Sequence, residues 1–135
     1  MTDQEKTGKI GEDAAARYLR HSGYTILERN LHLSHKEIDI IAENSDFLIF
    51  VEVKTRTCRS PETTCYRPAT AMDYTKRKNI ADAAKAYLAL HATDKQPRLD
   101  VIEVYLSPPE GMRRQPKILK INHIPDAFGA YGQVR

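Results

Sequence analysis

Two neighbouring apolar segments of this chain carry charged residues at positions where a buried strand normally has none. The segments are EIDIIA and FLIFVEVK, and their internal charges are Glu37, Asp39, Glu52 and Lys54. Both segments are rich in the β-branched and aromatic residues that are typical of strands. Removing a charged side chain from water costs several kcal/mol unless it is paired or bound to a metal. The chain must therefore fold so that these charges find partners.

The turn-rich sequence ENSD joins the two segments and predicts a hairpin. Because side chains alternate between the faces of a strand, Glu37 and Asp39 share one face of the first strand. By the same rule, Glu52 and Lys54 share one face of the second strand. An even loop of two or four residues would place Asp39 opposite Glu52 or diagonal to it, whereas an odd loop would break this alignment.

The rest of the sequence predicts further helices and strands. In chain order these are a helix from about Asp3 to His21, a strand YTILERNL before the hairpin, an amphipathic helix TKRKNIADAAKAYLAL, strands RLDVIEVYL and KILKINHI, and a short helix near PDAFGAYG. This order indicates an α/β fold with a mixed five-stranded sheet flanked by helices. The length of 135 residues suits a single domain, 1–135, with its core at about 8–122.

Several classes of protein do not fit this sequence. It has no basic-then-apolar signal sequence and no apolar run near the roughly 18 residues of a membrane span, so we expect no membrane association and a cytoplasmic protein. Cys58 and Cys65 are too few for a disulfide scaffold and have no usual zinc spacing, so we expect free thiols. The net charge is only +3. Basic residues cluster after the hairpin, where they would attract a polyanion or simply face water.

The charged residues of the hairpin suggest a metal site. Asp39 and Glu52, together with a backbone carbonyl that is most plausibly that of Val53, would form the hard oxygen site that Mg²⁺ or Mn²⁺ prefers. Such a metal can polarise a phosphodiester oxygen and activate a water for attack on phosphorus. Lys54 is placed to hold that water or to stabilise the negative charge that develops.

Other residues extend this hypothesis. Glu12 falls in the apolar arc of the first helix, where it would either serve the site or only cap the helix and interact favourably with the macrodipole near its N-terminus. Thr55 and Arg56 continue the strand beyond Lys54 and are candidates to hold a phosphate backbone. Lys76 lies on the core-facing stripe of the second helix, so it would either reach the site or cover apolar surface with its aliphatic chain.

A structural interpretation remains open on spacing alone. Glu52 and Lys54 would then form an exposed ion pair at a strand end, with Asp39 as a cross-strand partner, and contribute roughly 0.2–1 kcal/mol. The pattern D…ExK is short and arises by chance. Residue spacing therefore does not decide between a metal site and an ion pair.

Five sequence blocks resemble, in order, those of the YraN-like family. The blocks are GKIGEDAAARYLRHSGYTILERNL, EIDIIA, FVEVKTR, KRKNIADAAKAYL and RLDVIEV, and they run from Gly8 to about Val104. The family comprises bacterial proteins predicted to be endonucleases, related to archaeal Holliday junction resolvases and to the PD-(D/E)xK nuclease superfamily. The resemblance implies a restriction-endonuclease-like α/β/α core and a Mg²⁺- or Mn²⁺-dependent endonuclease that acts on DNA.

The resemblance also implies roles for individual residues. Asp39, Glu52 and Lys54 take the metal-binding and catalytic places, and Glu12 takes the acidic position that resolvase-like relatives carry on their first helix. Glu37 matches the first acid of the family's EID block. Lys36 stands where the family usually has Gly, and a lysine there would add phosphate affinity or face water.

Three functional hypotheses follow. The first is a metal-dependent endonuclease acting on DNA, where branched DNA would favour a two-fold homodimer because symmetric cuts need two sites. RNA as a substrate is not excluded. The second is a nucleic-acid-binding module of the same fold that does not cleave and works through the basic loop, Lys76 and Arg77. The third is a protein-interaction scaffold in which the acids are structural.

Overall fold

The structure is a computed structural model, and it describes residues 2–58, 74–109 and 115–134. Its elements are helix α1 (Asp3–His21), strands β1 (Thr25–Leu33), β2 (Lys36–Glu43) and β3 (Phe47–Thr57), helix α2 (Tyr74–Leu90), and strands β4 (Gln96–Leu106) and β5 (Ile118–Ile124). The predicted order of helix, three strands, helix and two strands is confirmed. No helix in the described ranges is long and apolar enough to cross a membrane.

The five strands form one sheet in chain order, from β1 at one edge to β5 at the other. β3 and β4 are parallel, and the other neighbouring pairs are antiparallel. A parallel pair needs a crossover connection, and α2 lies in that connection. The predicted α/β fold with a mixed five-stranded sheet is therefore confirmed.

Each helix covers one face of the sheet. On one face, α1 packs its alanines and Leu19 against residues such as Val51 and Ile102. On the other face, α2 packs Ile80 and Tyr87 against residues such as Phe50. Because side chains of β3 alternate, Glu52 and Lys54 point to the same face as Phe50, which is the face that α2 covers.

The ends of α1 follow its sequence. Thr2 is the N-cap, and its side-chain oxygen accepts a hydrogen bond of 3.1 Å from the backbone N–H of Glu5. After the last helical residue, Gly23 adopts a φ of +93°, a conformation that glycine reaches without the steric cost of a Cβ. The helix therefore begins and ends where the sequence predicts.

A buried polar network crosslinks β4 to β5 and α1. Asp100, which is fully buried, accepts two hydrogen bonds of 2.8 Å from Arg98 and one of 2.7 Å from His123 Nε2. The other ring nitrogen of His123 lies 3.0 Å from the Tyr18 hydroxyl. All of the charges in this network have partners, so it stabilises the fold on the α1 face.

Two predictions were wrong. Residues 125–134 form turns and an isolated bridge between Phe128 and Val134 instead of a short helix, and Gly132 with a φ of +83° interrupts any helical path. Cys58 is disulfide-bonded rather than a free thiol. A count of two cysteines excludes a disulfide scaffold but not a single bond. Cys65 and most of the predicted basic loop lie outside the described residues.

Candidate active site

The β2–β3 hairpin brings the predicted acids face to face. Glu43 pairs with Leu48 and Ile40 with Val51, so the loop comprises residues 44–47, an even number. The Asn44 side chain closes this loop, because its Oδ1 atom accepts hydrogen bonds of 2.9 and 2.8 Å from the backbone N–H groups of Asp46 and Phe47. Continuing the same register by one residue places Asp39 opposite Glu52.

The two strands separate at this point. Backbone pairing of β2 with β3 ends at Ile40 and Val51, and Asp39 Oδ2 instead accepts a hydrogen bond of 2.8 Å from the Val53 N–H. The N–H and carbonyl of a strand residue point to the same edge, so the Val53 carbonyl faces the same gap. Oxygen atoms of Asp39, Glu52 and Val53 therefore line the opening between the strands.

Glu52 is a buried carboxylate with two lysine partners. Its residue is 4% exposed. Its Oε1 atom lies 2.8 Å from Lys76 Nζ and 3.4 Å from Lys54 Nζ. Lys54 comes from the same strand, two residues further, and Lys76 reaches in from the first turn of α2. The buried negative charge is thus balanced by lysine ammonium groups, as burial of an ionised carboxylate requires.

The pKa of Asp39 is strongly perturbed. Burial is the main cause and the neighbouring charge of Glu52 adds to it, while the Val53 N–H acts in the opposite direction, and together they raise the pKa of Asp39 to about 8. Near neutral pH, Asp39 therefore keeps its proton and forms a side-chain hydrogen bond with Glu52. A strongly perturbed carboxyl group in such a setting is a marker of functional sites.

The two lysines at Glu52 have pKa values shifted in opposite directions. Burial lowers the pKa of Lys54, and the adjacent ammonium of Lys76 lowers it further against the attraction of Glu52. Burial also disfavours the charged form of Lys76, but its hydrogen bond to Glu52 and the charge of Glu52 outweigh this, so the pKa of Lys76 is raised. Lys76 therefore stays protonated to a higher pH than Lys54 does.

Glu12 lies at the margin of this cluster. Burial raises the pKa of Glu12, a hydrogen bond with the Asn30 side chain lowers it, and the charges of Glu37 and Glu52 raise it again. Glu12 is therefore close enough to Glu37 and Glu52 for their charges to affect its pKa. In the described part of the chain, however, no three His, Cys, Asp or Glu residues are arranged as a metal-binding group. Glu12 does not complete a ligand set with Asp39 and Glu52.

The candidate nucleic-acid-binding residues fall into two groups. Lys36 and Lys76 line an open cleft of about 440 Å³ beside the acids; its lining residues are His35, Lys36, Glu37, Thr75, Lys76, Asn79 and Ile80. Lys36 also forms an ion pair of 3.5 Å with Asp82. The positions of His35, Thr75 and Asn79 were not predicted. The helical spacing of Thr75 and Asn79, which are four residues apart, could have placed them on one face.

Thr55 and Arg77 have their contacts outside the cleft. Thr55 packs against Gly11 of α1 on the opposite face of the sheet. Arg77 donates a hydrogen bond of 2.6 Å to the Gly132 carbonyl and so ties α2 to the C-terminal segment. Arg56 lies beyond Lys54 on β3, and its buried Nε atom has no hydrogen-bond partner within the described ranges.

The oxygen donors at the gap suit Mg²⁺ or Mn²⁺. Two carboxylates and a backbone carbonyl form a hard ligand set, and these ions complete their coordination with water. The raised pKa of Asp39 and the two ammonium groups at Glu52 indicate that ionised carboxylates at this site need compensating positive charge. A divalent cation would supply that charge at the same oxygens.

Comparisons with known proteins place these residues within one family. Residues 11–104 match the model of the uncharacterised protein family UPF0102. A UPF0102 protein of Caldanaerobacter subterraneus is 39% identical over 127 residues, which cover 93% of this chain and 97% of the relative. Similar proteins come from Syntrophotalea carbinolica, at 41% identity over 93% of both chains, and from Syntrophus aciditrophicus, at 42% identity over 98% of this chain and 97% of the relative. These names state no activity.

Proposed function

This chain belongs to the uncharacterised protein family UPF0102, and from its site we propose that it is a Mg²⁺- or Mn²⁺-dependent endonuclease that hydrolyses phosphodiester bonds in DNA. The observation that supports this most is the pair of acids at the gap between β2 and β3. Burial, with the neighbouring charge of Glu52, raises the pKa of Asp39 to about 8, and Lys54 lies beside Glu52. A cation bound at these oxygens would allow both carboxyl groups to ionise near neutral pH.

Each acid has a role in this proposal. Asp39 and Glu52 would hold the metal together with the Val53 carbonyl. When bound, the metal polarises a phosphoryl oxygen and lowers the pKa of a coordinated water. The hydrogen bond of 2.8 Å from the Val53 N–H fixes the orientation of the Asp39 carboxylate. Glu12, at the margin, would orient a water rather than bind this metal directly.

Lys54 would act on the reacting phosphate. It is 3.4 Å from Glu52 Oε1, and its side chain is 22% exposed. An ammonium group at this depth stabilises the negative charge that develops on phosphorus more strongly than it would in water. Because burial lowers the pKa of Lys54, the group also gives up its own proton more readily than an exposed lysine does.

The cleft beside the acids would receive the phosphate backbone. Lys36 and Lys76 line it, and they would contact phosphates without reading the base sequence. The sheet with one helix on each face agrees with the restriction-endonuclease-like core that the family resemblance implies. We extend the proposal to branched DNA and to a homodimer on that resemblance, and to a cytoplasmic location on the sequence.

Cleavage of labelled linear, flap and four-way DNA, with matched RNA substrates, tests the proposal. We expect the wild type to cut at least one DNA substrate when Mg²⁺ or Mn²⁺ is added. Asp39→Asn and Lys54→Met should each reduce the rate by about 100-fold or more. Lys78→Met, a matched change of charge on α2, should retain the wild-type rate. Full activity of Asp39→Asn, or no cleavage by the wild type with any metal, would contradict the proposal.

A second candidate function is a nucleic-acid-binding module that does not cleave. It is favoured by the cleft itself, because Lys36 and Lys76 line it independently of any metal. This alternative predicts salt-sensitive DNA binding that survives Asp39→Asn, with no cleavage at any metal concentration. Binding and cleavage measured on the same variants therefore separate the two functions.

A further inference from the structure

Lys76 forms the shorter of the two ion pairs at the buried carboxylate of Glu52. Its Nζ atom is 2.8 Å from Glu52 Oε1, which is closer than Lys54 Nζ at 3.4 Å. The side chain of Glu52 is 5% exposed, whereas that of Lys76 is 48% exposed. The lysine therefore extends from the protein surface to a buried oxygen, and it supplies the positive charge that a buried carboxylate needs.

The attachments of the two lysines differ. Lys54 is on β3 beside Glu52, and its side chain is 22% exposed. Lys76 is on α2, and it also lines the open cleft with Lys36, Thr75 and Asn79. A half-exposed lysine with a flexible four-carbon stem can change its partner without a change in the fold. Of the two lysines, Lys76 is the one that lines the cleft, so its ammonium group can leave Glu52 and move into the cleft.

A divalent cation and the Lys76 ammonium cannot both approach Glu52 Oε1 closely, because like charges repel strongly at a buried site. We propose that Lys76 is the exchangeable counter-ion of the site, which neutralises Glu52 without metal and moves into the cleft when metal binds. There it pairs with a phosphate of the nucleic acid. This inference rests on the proposed function and deepens it, because it couples metal binding to substrate binding.

Metal and nucleic acid should each favour binding of the other. Metal frees Lys76 to bind phosphate, and phosphate in the cleft draws Lys76 from Glu52 and so favours metal. The two effects must be equal in binding free energy, because linkage between sites is reciprocal. The site would therefore load its metal most readily when nucleic acid is present.

Calorimetric titration of the full chain with Mn²⁺, without nucleic acid, tests the counter-ion role. We expect Lys76→Met to bind Mn²⁺ roughly fivefold more tightly than the wild type, because a competing ion pair has been removed. The control is Lys78→Met, which makes the same change of net charge on the same helix. Lys78 pairs with Asp82 at 2.9 Å, away from Glu52, so its loss should alter affinity by less than about twofold. Lys76→Arg keeps the cation and should not bind Mn²⁺ more tightly than the wild type.

Melting temperatures keep the test valid if Lys76→Met is less stable. Saturation with Mn²⁺ should raise the melting temperature of Lys76→Met more than that of Lys78→Met, when each increase is measured from the same variant without metal. Equal or weaker Mn²⁺ binding by Lys76→Met, with normal binding by the wild type, would overturn this inference and leave the proposed function standing. No Mn²⁺ binding by the wild type would overturn both.

The transfer of Lys76 to the nucleic acid is tested with an uncleavable phosphorothioate duplex. This duplex should tighten Mn²⁺ binding to the wild type more than it tightens binding to Lys76→Met, in which no ammonium group is left to transfer. Equal gains in the two proteins would overturn the transfer.

Discussion

The Asp39 side chain replaces a backbone carbonyl as a hydrogen-bond acceptor between β2 and β3. Its Oδ2 atom accepts the hydrogen bond from the Val53 N–H just beyond the point where backbone pairing of the two strands ends. The two strands separate here, yet the Val53 N–H still has a hydrogen-bond acceptor in the Asp39 side chain. This hydrogen bond also holds the Asp39 carboxyl against that of Glu52, and burial together with this proximity raises the pKa of Asp39 to about 8. Asp39 therefore lies where the two strands separate, and burial there disfavours its charged form.

Neutralising Asp39 should stabilise the protein when metal is absent. The pKa of Asp39 is raised from an ordinary value of about 3.9 to about 8 in the folded state. Between these values the folded state holds more protons than the unfolded state, so stability falls as the pH rises from about 4 to about 8. Asp39→Asn lacks this loss and should be more stable by about 1–3 kcal/mol at pH 8.

Urea denaturation in EDTA at pH 5 and pH 8 measures this effect. The advantage of Asp39→Asn should be small at pH 5 and should grow toward pH 8. A variant that is less stable than the wild type at pH 8 would mean that Asp39 is a structural partner, as the ion-pair interpretation holds.

Among the elements, α1 lies unusually close to β3. A Cβ atom on Gly11 would overlap the Thr55 side chain, so only glycine allows this approach. The same contact holds Thr55 on the α1 face, away from the cleft. Close packing of α1 thus fixes the strand that carries Glu52 and Lys54.

Two glycine substitutions in α1 should have opposite effects. Gly11→Ala should destabilise the protein by about 1–3 kcal/mol, because Thr55 and the helix must move apart. Gly8→Ala places its methyl group in open space and should stabilise the helix by about 0.5–1 kcal/mol. Thermal unfolding of both variants measures the difference, and equal effects would contradict the close packing of α1 on β3.

The network around Asp100 should carry much of the stability of β4 and β5. Burial alone would raise the pKa of Asp100, but hydrogen bonds from His123 and Arg98 outweigh it and hold the pKa below its usual range. The charged form therefore stabilises the fold above the ordinary pKa of about 3.9, and this contribution is lost as the pH falls through the lower folded value.

Asp100→Asn should cost about 3–5 kcal/mol at pH 7, because it leaves Arg98 without its buried partner. The loss should shrink as the pH falls below the ordinary pKa of aspartate. Chemical denaturation across this pH range checks both expectations. A cost that does not change with pH would show that the network depends on shape and not on charge.

The sequence predicts the elements well and the site only in part. Periodicity identified α1 and β3, but the sequence left the length of the hairpin loop open, and it is the observed register that places Asp39 opposite Glu52. Three features had no local signal: the separation of β2 from β3 at Asp39, the hydrogen bond from Arg77 to Gly132, and the contact of Asp100 with His123. Each depends on distant segments or on a side-chain partner that strand alternation does not specify.

Across the whole molecule, the two faces of the sheet carry different groups of charged residues. The α1 face carries the Asp100 network, in which every charge has a partner. The α2 face carries the acids and the cleft with Lys36 and Lys76. The modest net charge of +3 therefore understates how strongly this one face would attract a phosphate backbone.

DNA binding in EDTA should depend on salt through these lysines. Lys36→Met should weaken duplex binding at all sequences and reduce the slope of log K against log salt by about 1, because one phosphate contact is lost. Lys95→Met is the control, since Lys95 pairs with Glu43 at 2.9 Å, away from the cleft. Equal slopes for the two variants would mean that DNA binds elsewhere.

In the proposed function, Asp39 and Glu52 hold a divalent cation beside Lys54. Anomalous diffraction at the manganese edge, from crystals grown with Mn²⁺, tests it most directly. We expect a manganese peak within bonding distance of both carboxylates, with Lys76 moved away from Glu52. A fully occupied Lys76–Glu52 pair with no manganese between the acids, at a concentration that saturates other Mn²⁺ sites, would contradict it.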